Sequence, residues 1–403
     1  MRIALVSEHA DPLAALGGAD AGGQNVHVAA LASGLARSGH QVTVYTRRDT
    51  PGGRSRVLVE NDYVVERVPA GPPTEVPKDD LLPHMDEFAE RLRERWRAEP
   101  VDVVHAHFWM SGLASLQAVR RTGVPVLQTF HALGSVKRRE QGPADTSAPS
   151  RVEHERRLCR EVTHVIATCD DEVRELRRLG LPDGRASVIP CGVDVGRFRP
   201  GPVPAGPRPR RLLAIGRLVE RKGVATAVEA LAELPDAELV VAGGPRADAL
   251  DADPEVNRLR RLATRLGVAD RLRFRGSVAR TDVPALIRSS DVVVAVPWYE
   301  PFGIVPLEAM ACARPVVGSA VGGLLDTVVP GVTGELVAPR QPAELAAALR
   351  DLLADPGRRA AYGAAGRRRV LEHYDWRRVV SRTETVYRTV AGARVPTITE
   401  AAR

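Results

Sequence analysis

The sequence predicts an α/β protein with two doubly wound domains, each built on a parallel sheet that helices cover on both faces. Short apolar segments alternate with amphipathic helical segments along the chain, which is the pattern of such sheets. The alternation occurs twice, and 403 residues are more than one domain usually contains. Between the two halves, a stretch rich in Pro, Gly and Arg predicts a linker. We therefore expect domains at residues 1–198 and 210–375, a linker at 199–209, and a C-terminal helix and tail at 376–403 that packs back on the first domain.

The first half opens with a predicted strand at residues 2–7, a glycine-rich loop and a helix over residues 23–37, which ends near Gly39. Residues 134–149 form a polar stretch with neither a helical nor a strand period, so we expect a functional or mobile loop there. Further apolar segments predict strands at residues 42–46, 64–68, 101–105, 124–129, 164–167 and 187–189.

The second half repeats the pattern after the linker. Beyond Glu344 the periodicity predicts helix nearly to Ala391, including an aromatic segment around Tyr374 and Trp376. Strands are expected at residues 211–215, 238–242, 272–274, 292–296 and 315–318. Two Rossmann-like domains in tandem follow from these elements.

Composition excludes several classes of protein. Hydrophobic residues make up 44% and charged residues 27%, which is typical of a globular enzyme and excludes collagen, coiled coils and disordered chains. No apolar stretch approaches the ~20 residues of a membrane span, and the first apolar run, residues 3–6, is shorter than a signal-peptide core. We therefore expect a cytoplasmic protein. The four cysteines are far apart, so we interpret them as core residues rather than disulfide or zinc ligands.

The net charge of +7 does not by itself indicate a nucleic-acid partner, because cations and anions are interleaved and the basic clusters at 208–211 and 367–369 are short. The identity of the cations is more informative. All but three of the 57 are arginines, the exceptions being Lys78, Lys137 and Lys222. A compact ammonium makes point contacts that a guanidinium fork does not reproduce, so the lysines are candidates for phosphate contacts. The alternative is that the three lysines have no such role and were retained by chance.

The first candidate site is GGADAGGQN, residues 17–25, between the first strand and its helix. Glycines let backbone N–H groups approach an anion, and the helix N-terminus adds the positive end of a dipole, so the motif predicts phosphate binding. It is not G-x-G-x-x-G, and no acidic residue is clearly placed at the end of the second strand, which argues against a redox dinucleotide. A glycine turn that packs helix on strand is the alternative.

The second and third candidates lie in the second half. GRLVERKG, residues 216–223, follows the first strand and places Arg217 and Lys222 where open α/β sheets bind ligands, although a solvated turn is the alternative. WYEPFGIVPLEAMACARPVV, residues 298–317, carries Glu300 and Glu308. Pro and Gly after Glu300 allow a helix to begin near Ile304, with its N-terminus directed at a ligand phosphate. Carboxylates in such positions accept hydrogen bonds from sugar hydroxyls.

In this order and spacing, the three motifs resemble the retaining GT-B glycosyltransferases of the sucrose-phosphate-synthase and mycothiol-pathway type. The resemblance covers nearly the whole chain, from Arg2 to about Tyr387. It implies that a hexose-type sugar is transferred from a nucleoside diphosphate sugar, UDP being favoured over GDP, with no metal or other cofactor. It further implies a front-face mechanism without a protein nucleophile, in which the departing phosphate takes the acceptor proton.

The resemblance also assigns donor residues by position. Arg217 and Lys222 would bind the diphosphate, and Glu308 the ribose. Glu300 would hold the transferred sugar, and His131 would lie beside it, so that these two residues with Arg217 and Lys222 form the catalytic set. The donor site would be completed by Gly18 and Gly23 at the phosphate or sugar, and by the backbone N–H groups of Phe302, Gly303 and Ile304.

For the acceptor, the mycothiol-pathway enzymes bind an inositol phosphate through an Asn, a Lys, a Tyr, a Thr and an Arg. Asn25 and Lys78 match, and Arg156 or its neighbour Arg157 can stand for the arginine. Phe108 and Ala132 depart from the pattern, and each loses a hydroxyl. We therefore expect a small polyhydroxylated or cyclitol-like acceptor, either phosphorylated or not, with inositol 3-phosphate a poor substrate. The alternative is that the remaining cations suffice and inositol 3-phosphate is used.

Other interpretations remain open at this point. A nucleotide-sugar epimerase or hydrolase could use the same fold, and a non-catalytic nucleotide-sugar sensor would bind donor without turnover. His131 could be a strand-end histidine with a satisfied ring. His105 and His107 alternate on one strand face but lack a third ligand at useful spacing, so no metal is expected. The predicted partners are thus small molecules, without nucleic acid or a membrane span, and a homodimer is left open.

Overall fold

The computed structural model describes residues 1–14, 22–60, 62–202 and 209–392. The strands in these residues are β1 (Arg2–Val6), β2 (Gln41–Arg47), β3 (Arg56–Val59), β4 (Tyr63–Val68), β5 (Val103–His107), β6 (Val126–Thr129), β7 (His164–Ala167), β8 (Ala186–Val188), β9 (Arg210–Ile215), β10 (Ala237–Ala242), β11 (Leu272–Gly276), β12 (Val292–Ala295), β13 (Val316–Ser319) and β14 (Gly334–Val337). The α-helices are α1 (Gly23–Arg37), α2 (Met85–Ala98), α3 (Trp109–Ala118), α4 (Gly134–Gln141), α5 (Arg151–Glu161), α6 (Asp170–Arg178), α7 (Val224–Leu231), α8 (Pro254–Arg265), α9 (Val283–Arg288), α10 (Ile304–Ala311), α11 (Leu324–Thr327), α12 (Pro342–Ala354), α13 (Pro356–His373) and α14 (Trp376–Gly392).

The strands form two sheets, which confirms the predicted pair of doubly wound α/β domains. The first has the order β3-β4-β2-β1-β5-β6-β7-β8, and the second has the order β11-β10-β9-β12-β13-β14. All pairings are parallel except β3 with β4, which is antiparallel. Central strands of both sheets are continuous apolar runs, as expected when helices cover both faces. The carboxyl ends of β1 and β9 each lie at a change in strand order, where such sheets bind ligands.

The expected loop at residues 134–149 is wrong in its first half, which is the helix α4 followed by a 3-10 turn, Gly142–Ala144. Val136 is the single large apolar residue of α4, so no amphipathic stripe marked this helix in the sequence. Its first N–H group, at Gly134, instead donates to both carboxylate oxygens of buried Glu155 at 2.9 Å. A tertiary contact, rather than a local pattern, starts the helix.

The C-terminal helix α14 returns to the N-terminal domain and lies against α1. Close approach is possible because Gly34 of α1 has no side chain: a Cβ there would lie 2.4 Å from Cγ2 of Val380. The hydroxyl of Tyr387 lies 2.6 Å from Nδ1 of His105 on β5, which fixes the helix against the sheet. No helix in the described part of the chain is long and apolar enough to cross a membrane.

The two domains also contact one another beside the cleft that separates the sheets. The Thr168 hydroxyl donates to the Pro301 carbonyl at 3.0 Å, and the Gln141 amide donates to the Tyr299 hydroxyl at 2.6 Å. These bonds join the ends of β7 and α4 to the segment before α10. The cleft is therefore bounded by defined contacts between the domains.

Candidate active site

A cleft of about 650 Å³ lies between the domains and is lined by both. Its walls are formed by segments that follow the carboxyl ends of strands: His9 after β1, Phe108 after β5, His131 after β6, Arg217 after β9 and Glu300 after β12. This is the edge at which open α/β sheets bind ligands. The topology thus brings together residues that are hundreds of positions apart in the sequence.

The segment after β9 places two cations in the cleft. Arg217 and Lys222 both line it, and Lys222 ends a 3-10 turn, Glu220–Lys222. Gly223 follows with a φ of +71°, and a Cβ at this position would lie 1.8 Å from the Val296 carbonyl oxygen. Only glycine permits this approach, so the turn holds Lys222 against the end of β12.

Lys222 forms an ion pair with Glu300, and both side chains are largely buried. Burial alone would raise the pKa of the Glu300 carboxyl, but Lys222, Arg221 and the backbone N–H of Phe302 outweigh it and hold the pKa below its usual range. Glu300 is therefore ionised at neutral pH. The sequence predicted both residues as donor ligands, but it did not predict that they contact each other.

The helix α10 begins at the cleft, directly after Glu300. Its N-cap is Gly303, with a φ of +69°, and its first residue Ile304 lines the cleft together with Phe302. A Cβ added to Gly23, at the start of α1, would lie 3.2 Å from Cδ1 of Ile304. Two helix N-termini therefore approach each other across the cleft, and both favour an anion between them.

Glu308 lies one turn further into α10 and is 1% exposed. It forms an ion pair with Arg280, which also lines the cleft. Burial raises the pKa of the Glu308 carboxyl, and the guanidinium groups of Arg280 and Arg197 oppose this rise only in part. The sequence motif made Glu308 a candidate site residue but not Arg280, whose segment carries no motif.

His131 is buried, has a φ of +61° and lines the cleft at the end of β6. Its Nε2 lies 2.9 Å from Nδ1 of His107, while its Nδ1 has no hydrogen-bond partner among the described residues. Burial lowers the pKa of His131 well below its usual value, so the ring is neutral at physiological pH. Nε2 thus has a partner within the protein, whereas Nδ1 is buried without a partner among the described residues.

His131 belongs to a cluster of buried imidazoles. The His27 ring centroid lies 5.4 Å from that of His131, and the His105 and His107 centroids are 4.2 Å apart. Burial lowers the pKa of His27 to about 4 and that of His105 to about 3. Among the residues that the structure describes, no group of three or more His, Cys, Asp or Glu side chains is placed to hold a metal ion.

The predicted acceptor residues are only partly brought together. Lys78, Phe108 and Ala132 line the cleft. Asn25 is buried at the start of α1, where its side-chain oxygen accepts from the Gly22 N–H at 3.0 Å and its amide donates to the Asp11 carbonyl at 2.9 Å. Asn25 is thus engaged in holding the loop rather than in lining the described cleft. Gly18 lies outside the described residues.

The arginine beside Phe108 and Ala132 is Arg151, not Arg156. Arg156 is half exposed and pairs with Glu153 on the surface of α5, and it is not part of the described cleft lining. Arg151 is buried, with its guanidinium carbon 4.9 Å from the Phe108 ring centroid, and it donates to the Ala132 carbonyl. Its Nε pairs with Glu155 at 2.8 Å.

The comparisons with known proteins agree with this architecture. Residues 21–197 match the family described as Glycosyltransferase Family 4, and residues 202–369 match the family described as Glycosyl transferases group 1. A curated relative, D-inositol 3-phosphate glycosyltransferase 2 of Catenulispora acidiphila, is 37% identical over 96% of this chain and 94% of its own length. The D-inositol 3-phosphate glycosyltransferase of Kineococcus radiotolerans is 36% identical over 96% of this chain and 95% of its own.

Solved structures are similar over the same length. A sucrose-phosphate synthase from Thermosynechococcus elongatus superposes with a TM-score of 0.89 at 32% identity, covering 97% of this chain and 99% of that one. Anabaena Alr3699/HepE, solved in complex with UDP and glucose, has a TM-score of 0.75 at 20% identity, covering 96% of this chain and 99% of that one. At this lower identity the likeness extends to the fold alone.

Proposed function

The chain belongs to the group 1 glycosyl transferases with the GT-B fold, and from this premise we propose the reaction that its cleft carries out. A hexose-type sugar passes from a nucleoside diphosphate, UDP in preference to GDP, to a small polyhydroxylated or cyclitol-like acceptor. Configuration at the anomeric carbon is retained, and no metal is required. Both substrates are small polar metabolites, and we place the enzyme in the cytoplasm.

The observation that carries the proposal is the Lys222–Glu300 ion pair, with Arg217 and the N-terminus of α10 in the same cleft. Two cations and a helix N-terminus are the groups that stabilise a diphosphate. Glu300 is the carboxylate beside them. When a donor binds, Lys222 can exchange Glu300 for a phosphate oxygen, and the released carboxylate can accept hydrogen bonds from the sugar.

Transfer develops negative charge on the leaving diphosphate. Arg217, Lys222 and the N-terminus of α10 all line the cleft, so they lie where they can stabilise that charge. His131, neutral and with one free ring nitrogen, supports the sugar. The departing phosphate oxygen takes the acceptor proton, so this route needs no protein nucleophile.

The acceptor end supports a cyclitol-like substrate that differs from the one in the relatives' names. Those relatives are named for D-inositol 3-phosphate. In this chain Phe108 and Ala132 bring no hydroxyl, and Arg151 is already paired with buried Glu155. A phosphate would therefore find fewer donors here, whereas a polyol depends less on charge.

A mass-spectrometric screen of UDP- and GDP-sugars tests the proposal, each with and without inositol, inositol 3-phosphate or another small polyol. We expect release of the nucleoside diphosphate to depend on an acceptor, and NMR of the product to show the anomeric configuration of the donor. Release that is equal without any acceptor would favour the hydrolase alternative. Binding without release in every combination would favour the sensor.

A further inference from the structure

Thr168 links the two domains through a hydroxyl that faces two acceptors. It follows β7 and is buried, and its Oγ lies 3.0 Å from the Pro301 carbonyl oxygen of the other domain and 2.6 Å from Oε2 of Glu172 on α6. The Thr168 N–H also donates to this Oε2, at 2.7 Å. A threonine hydroxyl carries a single hydrogen, so it can donate to only one of the two oxygens.

The protonation state of Glu172 decides which oxygen receives that hydrogen. If Glu172 is ionised, its Oε2 can only accept, so the Thr168 hydroxyl donates to it and the Pro301 carbonyl loses this donor. If Glu172 is the neutral acid, its own O–H donates to the Thr168 hydroxyl, whose hydrogen is then available for Pro301. The neutral acid therefore makes both short contacts hydrogen bonds, whereas the carboxylate leaves one of them unmade.

The surroundings of Glu172 favour the neutral acid. Its Oε1 is buried and has no hydrogen-bond partner among the described residues, so a carboxylate charge there would be costly. Burial raises the pKa of the Glu172 carboxyl, Thr168 opposes this rise in part, and the negative charges of Glu155 and Asp171 add to it. Carboxyls and thiols face Glu172 from the elements around it: Glu155 and Cys159 of α5, Asp171 of α6, and Cys169 and Cys191 after β7 and β8.

The hydrogen bond from Thr168 bears on the cleft because of the peptide group that accepts it. The Pro301 carbonyl belongs to the same planar peptide as the Phe302 N–H, and this N–H donates to the Glu300 carboxylate. Within the C-terminal domain, the Gly323 N–H donates to the Glu300 carbonyl at 2.8 Å. Thr168 therefore holds one edge of a peptide plane whose other edge holds the Glu300 side chain.

We propose that Glu172 is a positioning residue that works as a neutral acid and directs the Thr168 hydroxyl to the Pro301 carbonyl. The resulting bond fixes the peptide between Pro301 and Phe302, and with it the Glu300 carboxylate, from the opposite domain. On ionisation, Glu172 releases its proton to solvent, the Thr168 hydroxyl turns to the carboxylate, and the peptide loses this hydrogen bond. The effect on ligand binding rests on the proposed function, whereas the proton on Glu172 does not.

Carbon-13 NMR of the glutamate side-chain carboxyl carbons tests for this proton directly, in the free protein. The variant Glu172→Gln lacks one of the signals and so assigns it. We expect the Glu172 carboxyl to be protonated at neutral pH, whereas an ordinary glutamate is ionised there. A Glu172 signal that shows an ionised carboxylate at neutral pH would overturn the inference, whatever ligand the protein binds.

Calorimetric titration with UDP tests the positioning role in the wild type, Thr168→Val and Thr168→Ser. Valine has nearly the shape of threonine but no hydroxyl, so we expect the affinity for UDP to fall roughly three- to tenfold. Serine restores the hydroxyl and should recover most of that loss. Glu175→Gln is the matched control, since Glu175 lies on the same helix, pairs with Arg139 at 3.1 Å and is not part of the described cleft lining. It should leave the affinity for UDP unchanged.

The pH dependence separates this role from a merely structural one. The ratio of the wild-type affinity for UDP to that of Thr168→Val should stay constant while Glu172 remains protonated and should fall where the Glu172 signal titrates. A ratio that stays constant while Glu172 ionises, or wild-type affinity in Thr168→Val, would overturn the inference. Absence of UDP binding in the wild type would instead refute the proposed function, and the NMR result on Glu172 would stand.

Discussion

Replacing Lys222 with methionine should weaken binding of the nucleoside diphosphate about ten- to a hundredfold while leaving the fold intact. Methionine keeps the unbranched stem of the side chain but removes its charge. Lys222 lies in the cleft, with about a quarter of its side chain exposed, and belongs to none of the apolar core clusters. The change is thus directed at the ligand rather than at packing.

The magnitude follows from the contacts. One charge-assisted hydrogen bond to the diphosphate is lost, which is worth ~1.5 to 3 kcal/mol. In the free wild type Lys222 is engaged with Glu300, so binding first exchanges that pair, which reduces the net gain. In the variant, Glu300 has lost this cation and repels the diphosphate, and this repulsion increases the loss of affinity.

The pH dependence adds a second signature. In the wild type, Lys222 and Arg221 overcome the effect of burial and lower the pKa of Glu300. Without Lys222 that pKa rises, so the acid limb of the kcat/KM profile should move to higher pH. A lowered folded-state pKa stabilises the protein above the unfolded pKa, and this stability is lost as the pH falls through the folded value. The stability difference between the proteins should therefore be present at neutral pH and vanish in acid.

Calorimetric titration with UDP, and kcat/KM across pH, measure these effects. Lys137→Met is the matched control, because Lys137 donates to the Ser147 hydroxyl at 2.8 Å and is not among the described residues that line the cleft. Its UDP affinity should equal that of the wild type. If Lys222→Met also kept wild-type affinity, turnover and acid limb, the assignment of Lys222 to the diphosphate would be refuted.

Three further outcomes are expected. Turnover should survive EDTA, because cations and helix N-termini supply what a metal would supply; loss that magnesium or manganese restores would contradict this. Solution scattering should show compaction on donor binding, since both domains line one cleft, whereas identical profiles at saturation would argue against closure. The Phe108→Tyr, Ala132→Thr double variant should gain roughly five-fold to more than a hundredfold in kcat/KM for inositol 3-phosphate. Efficient use by the wild type with no gain in the variant would show that the proposed acceptor pocket is wrong.

Periodicity predicted most of the fold because the buried strands are continuous apolar runs between glycines and charges. The predicted strand at residues 164–167 and the helix over residues 23–37 have the observed bounds of β7 and α1. Prediction missed β3, whose alternate side chains are exposed because it pairs at one edge. It also missed β14, a four-residue strand that begins with glycine. Both strands are short and lie at sheet edges, where partial burial of the side chains produces little apolar pattern in the sequence.

The sequence could place the donor-site candidates Arg217, Lys222 and Glu300 at the cleft because they lie in motifs that follow the ends of strands. The arginine beside Phe108 and Ala132 could not be predicted, because it belongs to a helix and the charge pattern does not show the direction of its side chain. Arg151 and Arg156 are five positions apart, which places them about 140° apart around the helix axis. Arg151 is buried against Phe108, while Arg156 faces solvent. The sequence offered Arg156 and Arg157 as equivalent candidates. Only the packing of α5 shows that Arg151 is the one beside Phe108.

The scarcity of lysine drew attention to three positions, two of which line the cleft. Lys78 and Lys222 line the cleft, whereas Lys137 joins α4 to Asp145 and is structural. At position 222 the ammonium holds Glu300 before the donor binds. The three N–H donors of its ammonium group rotate about the terminal C–N bond. Lys222 can therefore exchange a carboxylate oxygen for a phosphate oxygen, whereas the planar guanidinium of an arginine would have to reorient. An arginine would form a bidentate pair with the same carboxylate, and donor binding would have to break both of its hydrogen bonds. In the proposed reaction, a lysine at position 222 would therefore release Glu300 toward the sugar at a lower cost than an arginine.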